Sequence, residues 1–499
     1  MSLILIAIVS MPLLLTLLCL FTPRRVNEIA TVLVGFLTLI FAITLLPVAT
    51  RGTITAVGYL RVDALSLVFL LATAFLYALT SVYSIGYFAE RATVAVHAGD
   101  DSARVFDRYS RRFYLGFNAF AWSMLCAPLV NGLALLWVAI ETTTVVSALL
   151  VALDNTAGAT EAAWKYVLIA SSGLGIALLS TIVLYYAGSQ VLGVSYDLAF
   201  GPLLKVAHHL PATPVRLAFG LAVVGFGTKV GLFPVHTWLP DAHAEAPTPV
   251  SVLLSGSLLA TSFYAILRYF QIAVAALGPT FPQTTLLIFG VLSLLLAALY
   301  LFDQHNIKRM LAYSSIEHMG ILAIGVSFGA PLAFAGVLLH VLAHAAGKGA
   351  AFMGAGVFVH KYGTKDISRI RGGLTTLPWS GPLFLLSIFA LSAIPPFGIF
   401  RSEFQIVAGG IKSAHGTAAA ILVVLVTFAF FGLAIAMTRV LFEPTEPSDA
   451  EIARGEPSVW MVVPVVAAVA LLVVLGVHPP NSLVALLNAG AAELQWVSR

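Results

Sequence analysis

The chain has 499 residues, of which 60% are hydrophobic and 10% charged, with a formal net charge of +4 at pH 7. So apolar a composition excludes a water-soluble globule with one buried core and places the chain among polytopic membrane proteins. The positive balance resides in loop lysines and arginines, so it bears on orientation in a bilayer and gives no ground for a nucleic-acid partner.

Apolar runs of ~20 residues predict an all-α membrane protein with about 14 transmembrane helices. In chain order they cover 2–21, 29–49, 63–87, 113–130, 132–153, 163–187, 214–237, 247–271, 283–302, 309–329, 331–359, 378–411 with a break, 416–442 and 458–477. The first run has no basic leader and no small-residue cleavage site before Arg24, which makes it a retained helix. Asn481 to Trp496 patterns as an amphipathic, interfacial tail. Cys19 and Cys126 both fall in apolar runs, so no disulfide is expected, and an iron–sulfur centre, which takes about four thiolates, cannot be built from them.

Most lysines and arginines outside the spans follow odd-numbered helices, among them Arg24, Arg25, Arg104, Arg108, Arg111, Arg112, Lys308, Arg309, Lys361, Lys365, Arg369 and Arg371. That bias predicts a cytoplasmic position for these loops and a non-cytoplasmic position for both termini. The polar insert from Glu90 to Arg112 then faces the cytoplasm, either as a surface for a soluble partner or as an ordinary charged loop.

Against this background, charges inside the spans stand out, because each costs at least ~2.5 kcal/mol at mid-bilayer and is kept where it faces protein or water. Lys229 lies in the apolar stretch Leu217 to Val235 beside Gly225, Gly227, Gly231 and Pro234, in a helix built to be interrupted. A lysine there adjusts its proton affinity readily. Glu141 sits mid-helix before three threonines. It reads either as a carboxylate bonded to a hydroxyl or as a proton carrier gated by a lysine; Lys165, opening the next helix, is a candidate partner or else a snorkelling surface charge.

After Lys229 comes HTWLPDAHAEAPTPV, with His236, Asp241, His243 and Glu245. These ligand types straddle Pro240 without a fixed helical spacing, which favours a polar proton exit over a metal site. In LLHVLAHAAGKGAAF, His340, His344 and Lys348 recur every four residues on one helix face. The histidine pair has zinc-like spacing, but the next residue on that face is a cation, so a proton wire fits better. Glu317 and His318, adjacent in LAYSSIEHMGIL, should point apart. Glu403 follows a second break at Pro395, Pro396 and Gly398, with Arg401 two residues before it. It reads as the end of the path, or as a loop-end ion pair with Arg401.

Lys229 to Glu403 and Glu141 to Glu317 are separated by nearly the same length of sequence, and two broken helices at matching positions are the mark of inverted repeats. Four segments follow: three helices and a polar loop (1–112), one five-helix repeat (113–271), its inverted counterpart (283–442), and a last helix with the tail (443–499).

The strings GTKVGLFPVHTWLPDAHAEAPTPVS, IKRMLAYSSIEHMGI, HVLAHAAGK and LSAIPPFGIFRSEF resemble the antiporter-like membrane subunits shared by respiratory complex I, Mrp-type cation/proton antiporters and membrane-bound hydrogenases. AYSSIEHMG and PPFGIFRSEF are most similar to the hydrogenase-4 component F branch, and the resemblance spans roughly 113–442. It implies a bundle of about 14 helices with two half-channels and broken seventh and twelfth helices. It also implies that Glu141 pairs with Lys229, that Lys348 with His340 and His344 forms the central relay, and that Glu403 is the terminal group. Ala260 stands where some relatives have a lysine on the eighth helix, so other groups or water must connect the halves. The chain as read also stops soon after its last span, without the lateral helix of some relatives.

The resulting expectation is a non-redox, proton-translocating subunit of a hydrogenase-4-like or complex I-like oxidoreductase in a bacterial or archaeal cytoplasmic membrane. Its partners would be other antiporter-like subunits and nickel–iron or iron–sulfur subunits. It should carry no cofactor and no metal, since no flavin, nickel or quinone signature is present. An Mrp-type Na+/H+ antiporter subunit and the membrane subunit of an inorganic-carbon uptake complex are the alternatives.

Overall fold

The computed structural model describes residues 1–98, 100–444 and 452–495. Among them, 9 helices are long and apolar enough to cross a membrane. The remaining predicted spans are also helical, but they are short (Ser2–Leu18), interrupted (Ser380–Leu391 and Gly398–Lys412) or rich in polar residues (Asp100–Cys126, Ala212–Val230 and Ile307–Ser327). Three helices form the centre: Ala64–His97, Thr248–Leu277 and Pro331–Tyr362, with 89%, 100% and 94% of their most apolar windows buried. Gly416–Phe442, at 33%, and the span Arg24–Ala49, at 28%, turn mostly apolar side chains outward, as a bilayer-facing rim requires.

Glycines let the polar helices approach closely. In the first half, Ala157–Leu192 lies against Ala212–Val230 so tightly that a Cβ on Gly225 would sit 2.5 Å from the Ala177 amide nitrogen. In the second, Pro331–Tyr362 meets Gly398–Lys412, and a Cβ on Gly409 would sit 2.7 Å from the amide nitrogen of Ala333. Small residues at such crossings replace the hydrophobic drive that lipid does not supply.

Several expectations are corrected. The insert from Glu90 to Arg112 is a helical hairpin: Ala64–His97 and Asp100–Cys126 run on past their apolar portions. Its charged residues keep helical propensity, and the hairpin is tied down by Tyr109 donating to Asp154 at 2.7 Å. A small antiparallel hairpin, Ile54–Ala56 with Leu60–Val62, precedes Asp63, whose carboxylate caps the next helix by accepting from the Ser66 amide at 2.9 Å. Lys308, read as a loop charge, is 2% exposed, and its ammonium donates to the Ala246 carbonyl. The tail forms the helix Asn481–Leu494, with Leu486, Leu487, Gly490, Ala491 and Leu494 buried; Trp496, its predicted end, lies outside the described residues.

Candidate functional site: two buried polar arrays

The first array gathers at the break after Lys229. Gly231 takes a left-handed φ of +84°, its N–H and that of Leu232 both bond back to the Gly227 carbonyl (2.9 and 2.8 Å), and the helix ends. This stop leaves Lys229 in the last turn, where the helix dipole favours a cation. It is fully buried. Its ammonium donates to Thr144 Oγ1 at 2.9 Å and to the Tyr166 hydroxyl, and lies 4.4 Å from the centre of the Tyr166 ring.

Glu141, one turn before Thr144 and half-buried, receives the other side of that hydroxyl: Thr144 Oγ1 donates to Glu141 Oε2 at 3.5 Å, and Ser171 donates to Oε1 at 3.3 Å. The glutamate and lysine therefore meet through a threonine. Tyr166 continues the array, with 2.7 Å between its hydroxyl and Ser147 Oγ, and its ring packs 4.4 Å from that of Trp238 beyond the break.

Lys165 is not part of this array. It is about half exposed and pairs with Glu161 at 2.7 Å and Asp241 at 3.2 Å, while Arg309 reaches the other Asp241 oxygen at 2.8 Å. Its neighbour Tyr166, about a hundred degrees round the helix, is the residue that faces Lys229. Nor do His236, Asp241, His243 and Glu245 converge: Glu245 pairs with Lys365 at 3.1 Å, and His243 Nδ1 bonds to the Leu239 carbonyl at 2.8 Å. The His243 ring lies 6.2 Å from Trp238 and 5.9 Å from Phe352, with Nε2 buried and without a partner among the described residues.

The second array draws on three helices. His318 comes from Ile307–Ser327, His340, His344 and Lys348 from Pro331–Tyr362, and Glu403 from Gly398–Lys412. His318, His340, His344 and Lys348 are fully buried, and Glu317 and Glu403 nearly so. Lys348 donates to the Leu311 carbonyl at 3.0 Å and interacts electrostatically with Glu317, which in turn interacts electrostatically with Glu403.

A hydrogen-bond sequence assigns the tautomers. Ser402 Oγ donates to the Ile399 carbonyl at 2.8 Å, so it must accept from His340 Nδ1–H at 2.9 Å. That leaves His340 Nε2 to accept from His318 Nδ1–H at 3.1 Å. Both nitrogens of His344, Nε2 of His318, Oε2 of Glu317 and Oε1 of Glu403 have no hydrogen-bond partner among the described residues.

One alternative reading falls. Arg401 does not pair with Glu403; it donates to the carbonyls of Gly476 and Val477 at 3.3 and 3.4 Å, at the end of the helix Val459–Val477. Residues two apart on a helix lie about 200° apart, so Arg401 and Glu403 face opposite ways. His318 and Glu317 diverge along the helix, yet both remain within the second array, because the groups around them come from two further helices.

Ala260 is buried in the helix Leu259–Leu277. Just before it the helix loosens to a π-turn, Leu254–Leu258, from which Ser255 meets Ser315 at 2.7 Å and Ser257 meets Thr73 at 2.6 Å. Tyr166, Ser147, Ser171 and Ser402 escaped the sequence reading, although each is a hydroxyl within an apolar run, and Thr144 entered it only as one of three threonines after Glu141. The Asp63–Arg268 ion pair, at 2.6 Å and closed off from solvent, was also missed.

An apolar exterior, two interrupted helices and ionisable groups sealed beside the interruptions constitute an antiporter-like membrane subunit. The family model described as "NADH:quinone oxidoreductase/Mrp antiporter, TM" matches residues 130–432, more than half of the sequence, and the chain belongs to that family. It is 35% identical over 381 residues to a hydrogenase-4 component F homolog of Methylacidiphilum infernorum, covering 76% of this chain and 78% of the relative. It is 32% identical over 289 residues to NADH-quinone oxidoreductase subunit M of Pseudomonas aeruginosa, covering 55% and 52%. A chain of the Mrp complex from Dietzia superposes with a TM-score of 0.83 at 19% identity, over 99% of this chain and 98% of that one, a likeness of fold.

Proposed function

We propose that the chain translocates protons as a subunit of a hydrogenase-4-like or complex I-like membrane oxidoreductase. The observation that carries this reading is the unbroken hydrogen-bond sequence His318–His340–Ser402 beside the unbonded Glu403 carboxylate, matched in the other half by Glu141–Thr144–Lys229–Tyr166. A proton taken up at His318 Nε2 releases the one on Nδ1 to His340 Nε2, and His340 then carries the charge beside Ser402 and Glu403. In the first half, rotation of the Thr144 hydroxyl alternately ties Lys229 to Glu141 and frees it. Motion of the broken segment 231–237 changes the separation of the two charges, and so the proton affinity of the lysine.

In this reading the chain has about 14 helices and two inverted repeats, 113–271 and 283–442, each forming a half-channel. Lys348 links them, with His243 and water spanning the gap left by Ala260. Both termini lie on the non-cytoplasmic side of a prokaryotic cytoplasmic membrane. Redox energy comes from nickel–iron or iron–sulfur partners, beside other antiporter-like subunits. Asp241 and Lys165 form a polar mouth around a cavity of about 720 Å3 that Glu245 and Arg309 also line.

The test is proton uptake by inverted vesicles containing the intact complex, with redox turnover recorded. His340→Gln should abolish uptake while the complex stays assembled; unchanged uptake would overturn the relay. A sodium requirement in the same vesicles would instead identify an Mrp-type exchanger.

A further inference from the structure

The residues that the proton relay uses also bring metal-ligating atoms together. One ligand atom each from His318, His340 and Glu403 lies within 4.8 Å of the other two, and the three residues come from three different helices. We propose that these residues form a buried site for one divalent cation of the zinc type.

Donor geometry supports this directly. His318 Nδ1 and His340 Nε2 are 3.1 Å apart. Two nitrogens each ~2.0–2.1 Å from a tetrahedral zinc ion lie ~3.3 Å from one another, so the imidazoles stand at coordination spacing once the shared proton leaves. Glu403 Oε1 is buried and without a partner, as a waiting carboxylate ligand must be. Two histidines and one glutamate is a recurring zinc donor set that leaves a fourth position open.

The support behind the ligands is also in place. His340 Nδ1–H is held by Ser402 Oγ at 2.9 Å, and Ser402 is in turn anchored on the Ile399 carbonyl, which fixes the ring with Nε2 toward the site. Glu403 also lines a cavity of about 330 Å3 between Ser392–Ile394 and the helix Gly416–Phe442.

Coordination would occupy His340 Nε2, the atom that the relay uses to accept its proton. Zinc would therefore arrest transport, a consequence that rests on the reading above, whereas the site itself rests on geometry.

The experiment is zinc binding to the full chain in lipid nanodiscs, measured by 65Zn retention and by zinc K-edge X-ray absorption. One equivalent with nitrogen and oxygen ligands at ~2.0–2.1 Å is expected. His340→Gln and Glu403→Gln should each weaken binding at least ~100-fold. Ser402→Ala, which spares the ligands and the fold, should weaken it ~10-fold or more. His305→Ala, at an exposed position, should leave it unchanged. Zinc retained equally by wild type and all three array variants, or absent at micromolar concentration, would overturn the site. Binding lost in Ser402→Ala while His340→Gln still pumps would uphold the metal site and defeat the proton relay.

Discussion

Replacing Thr144 by valine tests the coupling between Lys229 and Glu141 with almost no change of shape. The hydroxyl accepts from Lys229 Nζ at 2.9 Å and donates to Glu141 Oε2 at 3.5 Å, so valine removes the one group joining the two charges. A hydrogen bond to a charged group contributes ~1.5–3 kcal/mol, and the second contact, at 3.5 Å, adds little. If the lysine proton moves through this contact in the slow step, each ~1.4 kcal/mol slows it tenfold, giving a fall of about 10- to 150-fold in proton uptake. Tyr166→Phe removes the other acceptor of Lys229, and the double variant leaves a buried ammonium without either hydroxyl, so its effect should exceed the sum of the single ones. The assay is the initial rate of acidification in inverted vesicles at matched redox turnover and matched subunit content. Thr144→Val with wild-type uptake in an assembled complex would refute the hydroxyl coupling.

Gly225→Ala should destabilise the chain by ~1–3 kcal/mol, read as a lower melting temperature in detergent, because the new methyl meets Ala177 backbone at 2.5 Å; Gly220→Ala, with nothing within 4 Å, should be silent. Arg268→Met takes the closest partner from the buried Asp63 carboxylate, leaving it Arg61 at 3.0 Å, and should cost up to ~3–5 kcal/mol, most of it recovered in the double variant with Asp63→Asn. Burial, with Asp63 nearby, raises the Glu493 carboxyl in the tail helix from 4.5 to about 7. A carboxyl that holds its proton more tightly when docked stabilises docking at low pH, and that contribution is lost as pH rises from 4.5 through 7. Intrinsic-rate-corrected hydrogen exchange in Asn481–Leu494 should therefore be slower at pH 5 than at pH 8, and Glu493→Gln should flatten the difference.

Much of the architecture was legible because it depends on patterns that run along one segment. Apolar runs located the helices, and Gly231 with Pro234, and Pro395 with Pro396, marked both interruptions. Lys229, Lys348 and Glu403 were conspicuous as charges in apolar sequence, and each is buried. What sequence did not yield were partners across helices. Nothing local says that Tyr166, rather than Lys165, faces Lys229, or that His318 bonds to His340 instead of His344. Arg401 and Glu403 are close in sequence but on opposite faces, so helical periodicity alone excludes the ion pair that was one alternative for Glu403. The Glu90 to Arg112 insert read as a loop because hydropathy registers the end of membrane burial, while helical hydrogen bonding continues past it.

The most direct test of the account is proton and sodium uptake by inverted vesicles of the intact complex, comparing wild type with Lys229→Ala and Glu403→Gln while partner redox turnover is recorded. The account predicts loss of proton uptake in both variants with the complex assembled and no dependence on sodium. Unchanged proton uptake in both would place the path elsewhere and reduce this chain to a scaffold.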